Sequence, residues 1–177
     1  MKQLILYGRG GQGVVTAAKI IAVAASMSEG GYAQSVPAFT AERRGAPVYA
    51  YVRLSDSPIN LKSSVYRPDG ILVFDPALSG QGIDLLSGTT ERTAAVVNLA
   101  GLPSQWGLRD RMGTVGTVDA TAYGRIPNVA MVAALARTTG WISLDGVVKA
   151  LYQVFGEKGG RANEEHARKA FEATNVA

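Results

Sequence analysis

The chain has 177 residues, 47% hydrophobic and 18% charged, a composition that predicts a globular fold with a buried core and excludes intrinsic disorder. Lys and Arg outnumber Asp and Glu by 18 − 14 = 4 without forming a dense basic run, which suits an anionic ligand or an acidic partner and gives no support for nucleic-acid binding. Cysteine is absent, which excludes disulfides, a cysteine nucleophile and thiolate-bound iron–sulfur clusters within this chain.

The first third of the chain predicts a strand, a helix and two further strands. The apolar residues 4–7 end at a glycine cluster, as a buried strand would, and small or apolar residues from 14 to 28 share one helical face. Residues 32–36 are predicted to form a second strand that ends at Pro37. From 48 to 54 apolar residues alternate with Tyr49, Tyr51 and Arg53, which predicts a strand with two different faces.

The remainder predicts interior strands followed by helices. Apolar runs at 71–74, 94–97 and 115–118 each end at a polar residue, as strands of a parallel sheet do. Helices are predicted from 128 to about 139, from a Ser143 cap to about 155, and from an Asn163 cap onward, with a flexible connection at 156–161. The sequence therefore predicts a single α/β domain over residues 1–177, with a mixed, mostly parallel sheet flanked by helices and a helical C-terminal region.

The start of the chain does not resemble a signal peptide, and no apolar stretch approaches the ~20 residues that a membrane-spanning helix needs. We therefore expect a cytoplasmic protein without a membrane partner.

A glycine-rich loop is the main candidate binding site. Residues 8–13 match G-x-G-x-x-G between a predicted strand and a predicted helix, where backbone N–H groups and the helix dipole can hold a phosphate. The candidate ligand residues are Gly10, Gly11, Gln12, Gly13 and Thr16. The alternative is a close strand–helix crossing that binds nothing.

Two common nucleotide sites are disfavoured. The second predicted strand ends Ser35-Val36-Pro37 without the carboxylate that a dinucleotide fold uses for the ribose. The loop also lacks the lysine of a Walker motif, which argues against ATP hydrolysis.

An ordered series of motifs resembles the gamma subunit of 2-oxoacid:acceptor oxidoreductases, the enzymes of the pyruvate:ferredoxin type. The resemblance extends over about residues 3–172, and it does not include residues 100–114. The motifs are Gly8-Arg-Gly-Gly-Gln-Gly-Val-Val-Thr-Ala-Ala-Lys19, Tyr32-Ala-Gln34, Glu42-Arg-Arg-Gly-Ala-Pro-Val48, Arg53-Leu-Ser-Asp56, Asp75-Pro76, Val118-Asp-Ala-Thr121 and Ile126-Pro-Asn-Val-Ala-Met131.

The resemblance implies a role in the oxidative decarboxylation of a 2-oxoacid to an acyl-CoA and CO2, with electrons passed to ferredoxin or a similar acceptor. It implies that thiamine diphosphate, its magnesium ion and the iron–sulfur clusters belong to partner subunits only: alpha, beta and a ferredoxin-like delta. The gamma chain is expected to contribute to assembly and to a shared coenzyme A site, and to have no activity alone. The phosphates of coenzyme A suit the glycine loop.

Three further residues complete the candidate site. Arg43 and Arg44 precede the alternating strand and could meet a ligand phosphate or a partner subunit, or remain solvated charges. Asn128 stands at a predicted helix start, where it could contact the ligand or cap the helix. No residue is predicted to be catalytic or to bind a metal.

Two other functions remain open at this point. One is a purely structural scaffold subunit of the same complex without a ligand. The other, a free-standing nucleotide-binding enzyme, is opposed by the missing ribose carboxylate, Walker lysine and catalytic constellation.

Overall fold

A computed structural model describes residues 1–28, 31–38, 46–101 and 111–177, and within these it has seven strands, three α-helices and two short 3-10 helices. The α-helices are α1 (Val14–Ser28), α2 (Asn128–Thr139) and α3 (Leu144–Ala173), and the 3-10 helices are Pro76–Gln81 and Ala120–Tyr123. The strands are β1 (Lys2–Arg9), β2 (Tyr32–Ala38), β3 (Pro47–Ser55), β4 (Gly70–Val73), β5 (Ala94–Asn98), β6 (Thr114–Val118) and β7 (Asn175–Val176).

The strands form one mixed sheet in the order β2-β3-β1-β4-β5-β6-β7. At the centre, β1, β4, β5 and β6 pair in parallel. At one edge β3 and β2 pair antiparallel, and at the other edge β7 does so. The predicted fold class is therefore confirmed.

Two α-helices cover one face of the sheet: α1 packs against β1, β2 and β3, and α2 against β5 and β6, while α3 packs on both of these helices. Many of the buried residues here are alanines, which let helix and sheet approach closely. Gly116 on β6 lies against Thr138 of α2, at a distance that leaves no room for a Cβ.

The other face of the sheet has a smaller core made with loops. Ile5, Tyr7 and Val73 pack there against Val65 and Leu78, which lie outside the strands. The alternation predicted for β3 is confirmed, since its even-numbered residues join the helix-covered core, whereas its tyrosines pack on this loop-covered face.

Helix α3 corrects the predicted C-terminal region. Ser143 caps it as expected, accepting from the Gly146 N–H at 3.1 Å. The chain then bends at Gly156, which has φ 72°, and continues as helix through Asn163, whose amide donates to the carbonyl of Gly159 at 2.8 Å. The non-helical backbone of Gly156 confirms the predicted end of this helix near residue 155. The predicted connection at 156–161 and the Asn163 cap were wrong, because a single glycine at positive φ separates the two helical stretches.

The edge strand β2 is longer than the sequence predicted. β2 continues through Pro37 to Ala38, although the sequence predicted that Pro37 would end it. A proline is compatible with a strand that has a neighbour on one side only, since its missing N–H can face away from that neighbour.

Candidate functional site

The glycine-rich loop joins β1 to α1 at the carboxyl edge of the parallel strands, and its own hydrogen bonds fix its shape. The Arg9 N–H donates to Oε1 of Gln12 at 2.8 Å, and the Gln12 N–H donates to the Arg9 carbonyl at 3.1 Å. The Gly10 N–H donates to the Ala46 carbonyl at 3.1 Å, which ties the loop to the residue before β3. Hydrogen bonds within the protein therefore set the shape of the loop.

Two glycines of the loop have conformations that other residues rarely adopt. Gly11 has φ 97° and Gly13 has φ 74°. A Cβ at Gly11 would meet nothing within 4 Å, whereas one at Gly13 would lie 2.8 Å from Cγ2 of Ile126. Gly11 is thus required for its backbone conformation alone, and Gly13 also for close packing.

Helix α1 presents its first N–H groups at this loop. Its first intrahelical bond runs from the Ala17 N–H to the Gly13 carbonyl at 2.8 Å. Among the described residues, none accepts from the N–H groups of Gly13, Val14, Val15 or Thr16. Together with the helix dipole, these donors favour an anion.

Asn128, the first residue of α2, brings an amide group against the same loop. The side chain is buried, with 7% of the residue exposed, and a Cβ at Gly13 would lie 2.9 Å from its Nδ2. Its Oδ1 accepts from the Val129 N–H at 2.8 Å, while Nδ2 donates to no protein atom in the described part of the chain. A buried amide N–H without an acceptor is costly, so this group indicates a ligand or an ordered water.

Arg9 is held at the side of the loop. Its Nε forms an ion pair with Asp75, and its Nη1 donates to Oε1 of Gln81 at 3.2 Å. Asp75 also caps the 3-10 helix that follows β4, accepting from the Ala77 N–H at 2.9 Å. This pair links the loop to the end of β4, and part of the Arg9 charge is already compensated.

The structure brings most of the predicted site residues together. Gly10, Gly11, Gln12 and Gly13 form the loop, Thr16 lies half-buried in the first turn of α1, and Asn128 joins them from α2. The side-chain oxygen of Gln12 is used within the loop, so only its amide nitrogen remains as the predicted donor. Asn128 is the first helical residue, and the cap position before it belongs to Pro127.

Arg43 and Arg44 lie outside the described residues. Two contributors were missed from the sequence: Asp75 as the partner of Arg9, and Ile126 packed against Gly13. Asp75 at the end of a predicted strand was a usable signal, since the carboxyl ends of parallel strands meet at one edge.

The described residues contain no group of three or more His, Cys, Asp or Glu side chains placed to hold a metal ion. They also contain no helix long and apolar enough to cross a membrane.

The family model described as pyruvate ferredoxin/flavodoxin oxidoreductase matches residues 3–174. The chain is similar to the pyruvate/ketoisovalerate oxidoreductases common subunit gamma of Thermococcus litoralis, with 38% identity covering 99% of this chain and 98% of the relative.

Two solved structures have the same fold. The pyruvate oxidoreductase subunit PORC of Thermotoga maritima superposes with a TM-score of 0.82 at 28% identity, covering 99% of this chain and 98% of the other. A 2-oxoglutarate:ferredoxin oxidoreductase from Magnetococcus marinus, solved with 2-oxoglutarate, coenzyme A and succinyl-CoA bound, superposes with a TM-score of 0.76 at 19% identity. That match covers 97% of this chain but 30% of the longer one, so the fold forms part of a larger chain there.

Proposed function

The chain belongs to the pyruvate ferredoxin/flavodoxin oxidoreductase family, as a gamma subunit, and from that premise we propose that its glycine loop holds a phosphate group of coenzyme A in the assembled enzyme. The complex would be cytoplasmic and would oxidise a 2-oxoacid to an acyl-CoA and CO2. Thiamine diphosphate, magnesium and the iron–sulfur clusters would reside in alpha, beta and delta partner subunits, since this chain has no cysteine to bind a cluster.

The observation that carries the proposal is the amide nitrogen (Nδ2) of Asn128, which has no acceptor among the described residues. It lies against Gly13, beside the N–H groups of the first turn of α1 that have no acceptor among the described residues. Because Gly13 has no Cβ, the side-chain donor of Asn128 lies close to the backbone donors at the start of α1. This arrangement suits a phosphate oxygen better than a purely structural crossing, in which a buried donor would be paired.

When bound, coenzyme A supplies the thiol that receives the acyl group. The residues of this chain would do no bond-breaking chemistry. The loop glycines would let the phosphate approach the backbone, Asn128 and the first turn of α1 would donate hydrogen bonds to it, and the ion pair of Arg9 with Asp75 would hold the loop in place. The role is one of positioning, which brings a tethered thiol to a reaction centre in another subunit.

Hydrogen exchange on the purified complex tests the proposal. We expect coenzyme A to slow exchange in the peptide covering residues 10–16, while pantetheine, which carries the thiol without phosphates, leaves it unchanged. Equal effects of the two compounds, or no effect of either, would favour the scaffold function and remove the coenzyme A assignment.

An Asn128→Asp variant provides a second test. The substitution keeps the size of the side chain and an oxygen for the Val129 N–H, but it replaces the donor with a charge. We expect the Michaelis constant for coenzyme A to rise and that for the 2-oxoacid to stay unchanged. A rise in both constants, or in neither, would argue against a phosphate contact.

A further inference from the structure

The segment between β3 and β4, residues 56–69, contains neither helix nor strand. Segments of this length without secondary structure are uncommon in compact domains and are usually functional or disordered. This β3–β4 loop is held to the sheet at several points, which favours a functional segment over a disordered one.

Arg53 is the main anchor. Its residue is 1% exposed, and its guanidinium donates to Oε1 of Gln3 at 3.1 Å and to Oε1 of Gln34 at 3.0 Å. The same group donates to the carbonyls of Ser63 at 2.5 Å and Ser64 at 3.5 Å. In the described part of the chain no carboxylate pairs with it. Four neutral oxygens therefore stabilise a buried charge, and two of them belong to the loop.

The far end of the loop is held as well. Val65 is buried in the loop-covered core with 4% of the residue exposed, and the Thr93 hydroxyl donates to the Pro68 carbonyl at 3.0 Å. Gly88 lies directly on the Tyr66 carbonyl, too close for any Cβ. The backbone on both sides of residue 66 is therefore fixed.

This fixed backbone displays apolar side chains to solvent. Tyr66 is 77% exposed and Leu61 is 45% exposed, and each stands next to an exposed cation, Arg67 and Lys62 respectively. Between its two end residues, Asp56, which is exposed, and Asp69, which accepts from the Gln3 N–H at 2.8 Å, the loop contains no carboxylate. A large aromatic ring on a rigid, exposed backbone loses little entropy on binding, and tyrosine is a frequent interface anchor.

The neighbouring sheet surface has the same character. Tyr49 and Tyr51 lie on the same face of β3 as Arg53 and are half-buried, and none of the described α-helices packs against that face. Tyr49 makes an edge-to-face contact with Tyr7, with ring centroids 5.6 Å apart. Val65 of the loop belongs to the same loop-covered core as Tyr49 and Tyr51, so the loop and the tyrosines lie on the same side of the sheet. We call Tyr49, Tyr51, Leu61 and Tyr66 together the docking face.

We propose that the docking face binds a neighbouring subunit of the same oxidoreductase, through an apolar patch on that subunit bordered by carboxylates. The carboxylates would complement Lys62 and Arg67. A second copy of this chain fits less well, because a symmetric contact would place two patches that both carry Lys62 and Arg67 against each other. The inference rests on membership of a multi-subunit enzyme and is independent of the coenzyme A site.

A competition experiment tests the docking face. Wild-type chain and a Leu61→Ala/Tyr66→Ala variant are co-expressed with limiting tagged partner subunits, and mass spectrometry gives their ratio in the purified complex relative to the lysate. We expect the variant to be depleted at least about tenfold, since central aromatic anchors dominate binding energy. The matched control is Met27→Ala, which removes a 52% exposed side chain from α1 on the helix-covered face and should give a ratio near one.

Two checks keep the result interpretable. The variant must unfold cooperatively near the wild-type temperature, as expected for exposed side chains. Equal incorporation of variant and wild type would overturn the proposal. It would also be overturned if the variant entered the complex normally and lost only the ability to form a homodimer of this chain. Complexes that do contain the variant should have an unchanged Michaelis constant for coenzyme A, which separates failure of the docking face from failure of the glycine loop.

Discussion

Gly11 allows the phosphate proposal to be tested on charge alone. Its φ of 97° strains any residue with a side chain, while a Cβ there would meet nothing within 4 Å. Replacement therefore costs backbone strain of about 1–2 kcal/mol without a steric collision. Asn and Asp have almost the same shape and tolerate positive φ better than most residues, so Gly11→Asn is the matched control for Gly11→Asp.

The expected difference between these variants follows from electrostatics. A carboxylate and a phosphate charge about 6 Å apart repel by about 3 kcal/mol at an effective dielectric constant of about 20, and salt reduces this value. We therefore expect the Asp variant to bind coenzyme A about 1–3 kcal/mol more weakly than the Asn variant. This corresponds to roughly a 5-fold to 150-fold higher Michaelis constant.

The assay is steady-state kinetics of the assembled complex with coenzyme A and the 2-oxoacid varied separately, at two salt concentrations. The Asp–Asn difference should appear for coenzyme A only and should shrink at high salt. Equal constants for the two variants, or failure of both to assemble, would mean that the loop serves packing and would refute the phosphate reasoning.

Four other outcomes are expected. The isolated chain should contain no iron or thiamine diphosphate and should not oxidise 2-oxoacids, and turnover by the pure chain would contradict the subunit interpretation. Arg43→Ala or Arg44→Ala should weaken coenzyme A use or assembly while a cooperative melt persists; wild-type behaviour of both would make them solvated charges. Burial of the Tyr7 hydroxyl is the largest cause that raises its pKa from 10 to about 12, and the nearby Tyr51 and Tyr49 are smaller causes. The contribution of Tyr7 to the free energy of unfolding is complete below pH 10 and is lost between pH 10 and 12. Tyr7→Phe should therefore reduce the fall in the free energy of unfolding over this pH range, measured by chemical denaturation. An unchanged fall would show that other groups cause it. Arg53→Met should speed hydrogen exchange at residues 61–66 and lower the free energy of unfolding by about 1–3 kcal/mol; unchanged exchange would show that Arg53 does not anchor the loop.

The fold class could be predicted because hydrophobic periodicity is a local property. The alternation around Tyr49 was predicted correctly for this reason. The Ser143 cap was predicted correctly because helix capping also depends on neighbouring residues only. The continuation of β2 through Pro37 could not be, because it depends on β2 being an edge strand, which is a fact about strand order. The helix at Gly159 and Gly160 was missed since glycine usually ends a helix, but here Phe155 and Tyr152 occupy the space where a Cβ would stand.

The candidate site was predictable in its backbone and not in its side chains. The motif located the loop, but nothing local showed that Arg9 would pair with Asp75, far along the chain. Nor could the sequence decide between cap and ligand contact for Asn128. That choice depends on the placement of Gly13 against α2, which only the packed structure provides.

The packing of α1 has a consequence for how the protein is made. Residues 14–28 are synthesised well before α3, which spans residues 144–173, yet their apolar face is covered in part by that helix. β6 likewise meets β7 only at residues 175–176. During synthesis part of the alanine-rich apolar surface of α1 therefore stays exposed until residues 144–173 have been made, a period in which chaperones would have most to bind.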